Sequence, residues 1–328
     1  LTITLAVGVS RMARRHAIIR KLHAVDTLGA ATAICSDKTG TLTTNEMTVQ
    51  EFVVGGEWFE VSGAGFEPRG EFRSGDRVID PEAHDGLRLA LRAGALCNNA
   101  RLLQHFHDGE ATWEIRGDPT EGALVVAAAK AGHDREELEE QFVRIDEVPF
   151  SSSTKWMATF HRAPDGAVWA FVKGAPETVL DLSVRTYEGD TTKLIDPEGA
   201  ACIHQANLAM AGRALRVLGL AYQILGPDEV ADFKEKLERG ESELTMVGLV
   251  GMMDPPRPEV ALAVQRCRNA GIRVLMATGD HQLTGEAIAQ EIGILRGQRQ
   301  VLTGSDVARM GDAELDQAVE QTDVFARV

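Results

Sequence analysis

Residues 35–48 read CSDKTGTLTTNEMT. A lone carboxylate, Asp37, stands directly before Lys38, Gly40 and five threonines. The apolar run ATAICSD leads into it and ends on that aspartate, so the carboxylate falls at the tip of a strand. A tight Lys-Thr-Gly-Thr turn in that place can aim backbone N–H groups and hydroxyls at one anion. This is chemistry for phosphoryl transfer. Asp37 would be the nucleophile that forms an acyl phosphate, with Lys38, Thr39, Gly40 and Thr41 around the phosphate. Such transfer is mainly positioning and charge neutralisation, usually with Mg²⁺. Asp37 would supply one metal oxygen and the Thr39 carbonyl another, because Mg²⁺ takes a small octahedral shell of oxygens. An N-capping aspartate in a turn explains Asp37 alone but leaves the rest of the heptapeptide unexplained.

Two further apolar segments end in an aspartate: MVGLVGMMD at Asp254 and IRVLMATGD at Asp280. Both read as buried strands of a parallel sheet. Helical patterns follow them, RPEVALAVQRCRNAG and QLTGEAIAQEIGI. That rhythm predicts a doubly wound sheet with its ligands at the carboxyl ends of the strands. Between residues 47 and 253 the rhythm stops. Short alternating segments such as WEIR and VWAFVKG mix with helical stretches such as EGALVVAAAKAG, punctuated by Gly, Pro and Asp. This predicts an antiparallel α+β domain inserted into the first, with crossings near residues 45–48 and 254–256. Paired prolines stiffen the second crossing.

A length of 328 residues fits two domains, and 44% hydrophobic with 25% charged residues is an ordinary globular balance. The net charge of -15 argues against a nucleic-acid partner, which calls for clustered Lys and Arg. It leaves ATP open, since ATP needs only local positive charge. The four cysteines form no CxxC pair, which disfavours disulfides and zinc and fits a reducing cytosol. His105 and His107 have no third ligand nearby in sequence and read as surface histidines. The opening run LTITLAVGV, followed by RMARR, is too short to cross a bilayer and reads by itself as a buried helix. The competing reading is the cytoplasmic end of a membrane helix, with Arg11, Arg14 and Arg15 as positive-inside charges.

DKTGTLT at 37–43 resembles the phosphorylation motif of the P-type ATPases, within the haloacid dehalogenase superfamily. KGAPE at 173–177, DPPR at 254–257 and TGD at 278–280 follow in the family's order. The resemblance implies an α/β fold. A haloacid-dehalogenase-like doubly wound parallel sheet, the phosphorylation (P) domain, would carry an inserted α+β antiparallel-sheet nucleotide-binding (N) domain. Residues 1–15 would be the cytoplasmic end of the fourth transmembrane helix, 16–46 and 254–328 the two parts of the P domain, and 47–253 the N domain. The stretch KLHAVDTLGAATAICSDKTGTLT is most similar to the calcium-pump and sodium/potassium-pump branch, and no His-Pro dipeptide of the heavy-metal branch occurs. The implied whole is a membrane cation pump, calcium being the expected ion. Its ion-binding helices and actuator domain are partners absent from this sequence, as are the family's later lysine and GDGxND segment. The piece itself would be soluble, on the cytoplasmic face of the membrane.

The same resemblance assigns site residues. Lys173 and Gly174 would line the ATP site, Phe150 would stack on adenine and Lys155 would add a positive charge. The family carries a charged residue between those two positions, where this chain has Ser151, Ser152, Ser153 and Thr154. Thr120 and Glu121 would face the adenosine, or would instead belong to a helix cap. Arg216 would reach the phosphates, or would be a solvated arginine. A core aromatic is the other reading of Phe150. Thr278, Gly279 and Asp280 match the phosphate site, and Asp254 a hinge-side position near the nucleotide. Glu286 in LTGEA resembles the actuator's TGE loop but falls on a helical pattern, so it reads as a helix residue.

Thr39 bears on the reaction. Soluble phosphatases with an Asp nucleophile often carry a second Asp two residues on, as acid–base catalyst. Thr39 in that place lets an aspartyl phosphate survive, which suits an energy transducer. A soluble phosphatase of the same superfamily and a nucleotide-binding module inactive in isolation are the competing readings.

Overall fold

The segments ending on Asp37 and Thr278 lie side by side. They form the strands Ala33–Asp37 and Arg273–Thr278, paired in parallel with Asp37 opposite Ala277. Strand Thr322–Ala326 pairs next, in parallel, and Gln300–Thr303 closes the four-stranded sheet. Parallel neighbours need long crossovers, here supplied by the helices Val260–Asn269, Gln282–Glu291 and Asp312–Gln321. The first of these ends at Gly271 with φ +74°. The Gly271 N–H donates to the Arg268 carbonyl and the Ile272 N–H to the Cys267 carbonyl, both at 2.9 Å. This left-handed cap, which favours glycine, turns the chain straight into Arg273. Met276, Ile288, Ala289, Ile292 and Val324 are buried between sheet and helices.

A computed structural model describes residues 2–15, 17–21, 24–107, 110–189, 191–297 and 299–328. It divides into two units: Leu1–Leu42 with Pro256–Val328, which holds the parallel sheet, and Thr43–Pro255. Strands Ala33–Asp37 and Arg273–Thr278 bear out the parallel reading, but the segment MVGLVGMM does not join them. It forms Leu244–Met253 in the second unit, antiparallel to both Thr48–Val54 and Arg216–Leu225. This strand is central in an eleven-stranded sheet and buried along most of its length. A strand covered on both faces shows an unbroken apolar run whichever way its neighbours point, so the pattern could not reveal the direction.

The second sheet is covered on both faces. Phe52 and Val54 pack with Leu87, Leu91 and Leu124, from the helices Asp85–Leu96 and Pro119–Lys130. Val53 alternates to the other side and packs with Ala206 and Met210 of the helix Pro197–Gly212. The ends of this unit are tied together. The Thr43 hydroxyl donates to Asp254 Oδ2 at 2.6 Å, the Glu46 N–H donates to Asp254 Oδ1 at 3.3 Å, and the Thr44 N–H donates to the Pro255 carbonyl at 3.1 Å.

The opening run does form a helix, Thr2–Ala13, but not a buried one: Ile3 is 82% exposed and Val7 is exposed too. Its described packing is against the short helix Ala24–Gly29, where Val25 lies against Gly8. No helix among the described residues is long and apolar enough to cross a membrane.

Candidate active site and nucleotide pocket

In the first unit the strand tips gather Asp37, Lys38, Thr278 and Asp280. Asp37 is the last residue of its strand, and its side chain is exposed. The turn after it is irregular: Thr39 is extended at φ −73°, ψ 124°, and Gly40 is left-handed at φ 71°. Gly40 is the residue type that takes this conformation without strain. The turn brings the Thr39 N–H to 3.3 Å from Asp37 Oδ1. Lys38 is buried, and its ammonium donates to Asp280 Oδ2. Thr278 is buried and its hydroxyl accepts from the Asp280 N–H at 3.1 Å, which orients the TGD turn. Gly279, Thr39 and Thr41 lie exposed at the surface of the cluster. Arg257, to which the sequence reading gave no role, donates from Nη2 to the Gly40 carbonyl at 3.0 Å and braces the turn.

Among the described residues no three His, Cys, Asp or Glu side chains converge as a metal cluster. His105 faces Glu114 at 3.2 Å on the surface, and the His107 side chain lies outside the described residues. The exposed oxygens of Asp37 suit Mg²⁺, which commonly binds through one or two carboxylates and keeps water and substrate oxygens as its remaining ligands.

In the second unit Lys173 and Glu121, 52 residues apart in sequence, meet at 2.7 Å. Lys173 is buried in the strand Val168–Gly174, and Glu121 lies in the first turn of the helix Pro119–Lys130. Asp118 caps that helix, accepting from the Thr120 N–H at 2.8 Å and the Glu121 N–H at 3.2 Å. The capping group is therefore Asp118, with Pro119 at the first helical position, and Glu121 is left to reach Lys173. Gly174 ends its strand opposite Trp156. A Cβ on Gly174 would lie 2.5 Å from the Lys155 carbonyl. The space beside Gly174 is thus taken by the chain's own backbone.

Phe150 is 62% exposed and belongs to no core, which removes the core-aromatic reading. The serine run after it closes a turn: Ser151 and Ser153 hydroxyls lie 2.7 Å apart, and the Lys155 N–H donates to the Ser151 carbonyl at 2.7 Å. Lys155 is held at φ 61°. Arg216 is exposed at the start of the strand Arg216–Leu225, which pairs with the Lys173 strand so that Gly219 lies opposite Gly174. Three residues of strand, about 10 Å, separate Arg216 from that level. Asp254 has both carboxylate oxygens engaged by Thr43 and Glu46, so its evident work is fastening the ends of this unit. Glu286 lies in the helix Gln282–Glu291 and accepts from Gln290 Nε2 at 3.3 Å, as a helix residue.

The sequence reading passed over the residues behind Glu121: Cys97, Asn98, Asn99, Arg135 and Arg144. Cys97 is wholly buried, and that burial pushes its thiol pKa up despite the neighbouring Lys173 charge. The only signal in the sequence was an Asn-Asn pair after an apolar helix, which marks a turn rather than a site.

With this geometry in view, a family model described as P-type ATPase, cytoplasmic domain N, matches residues 86–259, more than half the chain. The chain belongs to the P-type ATPases. A calcium-transporting ATPase of Bacillus subtilis is 40% identical across all of this chain and 36% of its own length. The cation-transporting ATPase pma1 of Synechocystis is 45% identical, again across 36% of its length. A calcium-transporting ATPase of Listeria monocytogenes is 35% identical across 34% of its length. The chain thus spans about a third of the curated relatives it matches. Within the P-type ATPases the parallel sheet corresponds to a haloacid-dehalogenase-like domain, and seven strands of the second sheet, from Val143–Val148 to Leu244–Met253, lie in the region the N-domain description covers.

Proposed function

We propose that this chain is the catalytic cytoplasmic part of an ATP-driven cation pump. Its Thr43–Pro255 unit binds ATP as the N domain, and the unit bearing Asp37 accepts the γ-phosphoryl as the P domain. The observation that carries this reading is the exposed Asp37 carboxylate at a parallel strand tip, beside the Lys38–Asp280 pair and the Thr39–Gly40 turn. A carboxylate oxygen of Asp37 attacks the γ-phosphorus. The new O–P bond forms as the bond to the β–γ bridging oxygen breaks, and ADP leaves with that oxygen. Lys38, the Thr39–Thr41 turn and Thr278 hold the phosphoryl oxygens, and Asp280 keeps the Lys38 ammonium in place. Mg²⁺, held by Asp37 and the Thr39 carbonyl, would offset phosphoryl charge.

ATP lies against Phe150 through its base, with Lys155, Lys173, Gly174, Thr120 and Glu121 around it and Arg216 toward the phosphates. The exposure of Phe150 and the bond from the Ala175 N–H to the Lys155 carbonyl at 2.9 Å, which sets Lys155 beside Gly174, support this placement. The relatives named as calcium-transporting ATPases support calcium as the ion, carried by membrane helices of the whole protein. The test has two parts. Calorimetric titration of the chain with ATP, with and without Mg²⁺, should show binding that Phe150→Ala and Lys173→Ala both weaken. The full-length protein should take up acid-stable label from γ-labelled ATP, and Asp37→Asn should lose it. A folded chain without ATP binding, or labelling that survives Asp37→Asn, refutes the reading.

A further inference from the structure

The segment Cys97-Asn98-Asn99-Ala100 joins the helix Asp85–Leu96 to the strand Arg101–His107. It grips Glu121 twice. The Asn99 N–H donates to Glu121 Oε2 at 2.9 Å, and Asn98 Nδ2 donates to the Glu121 backbone carbonyl at 2.8 Å. Glu121 Oε1 is the oxygen that takes the Lys173 ammonium, so both carboxylate oxygens are engaged from opposite partners. A glutamate on the first turn of a helix has several rotamers open to it; here two fixed donors select one.

The segment is itself held. Asn98 is wholly buried, and besides Glu121 it donates to the Gly94 carbonyl at 3.0 Å and accepts from the Ala100 N–H at 2.8 Å. Two arginines converge on it from separate elements. Buried Arg135, in the helix Arg135–Gln141, donates to the Asn98 carbonyl at 2.7 Å, to the Ala100 carbonyl, and to Glu139 at 3.0 Å. Arg144, in the strand Val143–Val148, donates to the Asn98 carbonyl at 3.1 Å and to Asn99 Oδ1 at 2.8 Å. The contacts form one chain: Glu139 to Arg135, Arg135 to the Asn98 and Ala100 carbonyls, the Asn98 amide and Asn99 N–H to Glu121, and Glu121 to Lys173. In a poorly hydrated interior such a connected network specifies a single geometry.

We propose that Asn98, Asn99, Arg135 and Arg144 are positioning residues of the nucleotide pocket, setting Glu121 and through it the Lys173 ammonium. This rests on the ATP reading above for its consequence, though not for its geometry. A merely structural clamp on the end of a helix would change stability and leave the carboxylate alone; a positioning device acts through Glu121.

The experiment is a double-mutant cycle on the intact chain, with ATP affinity from calorimetry and the Asn99 amide signal from ¹⁵N–¹H spectra. Asn98→Ala and Arg144→Gln should each weaken ATP binding about tenfold, the worth of one well-placed hydrogen bond. In a Glu121→Gln background the same changes should cost less than about twofold, since coupled residues share one effect. A tenfold loss that persists in that background overturns the proposal. So does unchanged affinity in a variant with only a lowered melting temperature. Arg144 is partly solvent-accessible, so Arg144→Gln decides the matter should Asn98→Ala fail to fold. The amide arm is independent of nucleotide. The Asn99 N–H, bonded to a carboxylate, should resonate downfield and move upfield in Glu121→Gln and in Arg144→Gln. If the wild-type chain binds no ATP, the functional reading fails, and an Asn99 signal indifferent to Glu121→Gln overturns the positioning as well.

Discussion

Each unit of this P-type ATPase chain holds a buried lysine paired with a carboxylate, and the two pairs are built differently. Lys38 meets Asp280 across two strand tips, and Asp280 keeps 34% of its side chain exposed. Lys173 sits inside a strand, and Glu121 keeps only 16%. Beside the first pair Asp37, the nucleophile of the proposed function, stands exposed, its Oδ1 3.3 Å from the Thr39 N–H. Behind the second pair lies a network of asparagine and arginine contacts. A reacting group must be reached by its substrate, so its neighbours rather than itself are buried. A group that only binds can be desolvated, and its charge then needs partners on every side.

The largest break in this comparison is expected from Asp37→Asn. It should abolish acid-stable phosphate incorporation in the full-length protein, while ATP affinity of the chain stays within about twofold, since a nucleophile at a separate cluster contributes little to binding. Next comes Lys173→Ala, which leaves the largely desolvated Glu121 carboxylate without its cation and held only by the Asn98–Asn99 segment among the described residues. Its unit should lose about 3 kcal/mol of unfolding free energy, whereas Lys38→Ala should cost about 1 kcal/mol because water reaches Asp280. All four tryptophans, Trp58, Trp113, Trp156 and Trp169, lie in Thr43–Pro255. Tryptophan fluorescence in urea therefore reads that unit alone, and amide exchange reads the other. Equal losses for the two lysines would dissolve the contrast.

Acid should also separate the units. His161 is buried opposite Trp169, between the Phe142 carbonyl at 3.0 Å and the Thr159 hydroxyl at 2.9 Å. Burial lowers its pKa to about 4. The unfolded chain, with an ordinary histidine pKa, binds this proton first as pH falls. The stability His161 confers is therefore complete above about pH 6.5 and drains away toward pH 4. The tryptophan-reported unit should lose about 2 kcal/mol between pH 7 and pH 4.5 from this group, a slope that His161→Gln removes. On stability the smallest effect is Phe150→Ala: the urea midpoint should stay unmoved because Phe150 packs in no core, while ATP binding weakens about tenfold by loss of base stacking.

Much of this was legible in the residues alone. The Asp37 turn, the helices after residues 258 and 281, and the strands around WEIR and VWAFVKG follow from local pattern. The direction of Leu244–Met253 was not, because a doubly covered strand hides its pairing. Nor was the exposure of the first helix, whose apolar run packs, among the described residues, against the short helix Ala24–Gly29. The Asn98–Arg135 network left no trace in periodicity, since asparagines after a helix read as a turn.

By itself, then, the order of residues determined which groups stand next to one another within a turn: Asp37 before its threonines, Gly40 where φ is positive, Asp118-Pro119 at a helix start, Lys173 before Gly174. These are choices made over a few bonds, where side-chain chemistry and backbone preference act directly. Only the tertiary structure decided that Lys38 would meet Asp280, 242 residues away, and Lys173 meet Glu121, 52 away. Such pairings depend on which strands and helices lie side by side, and many buried contacts, each weak alone, settle that together.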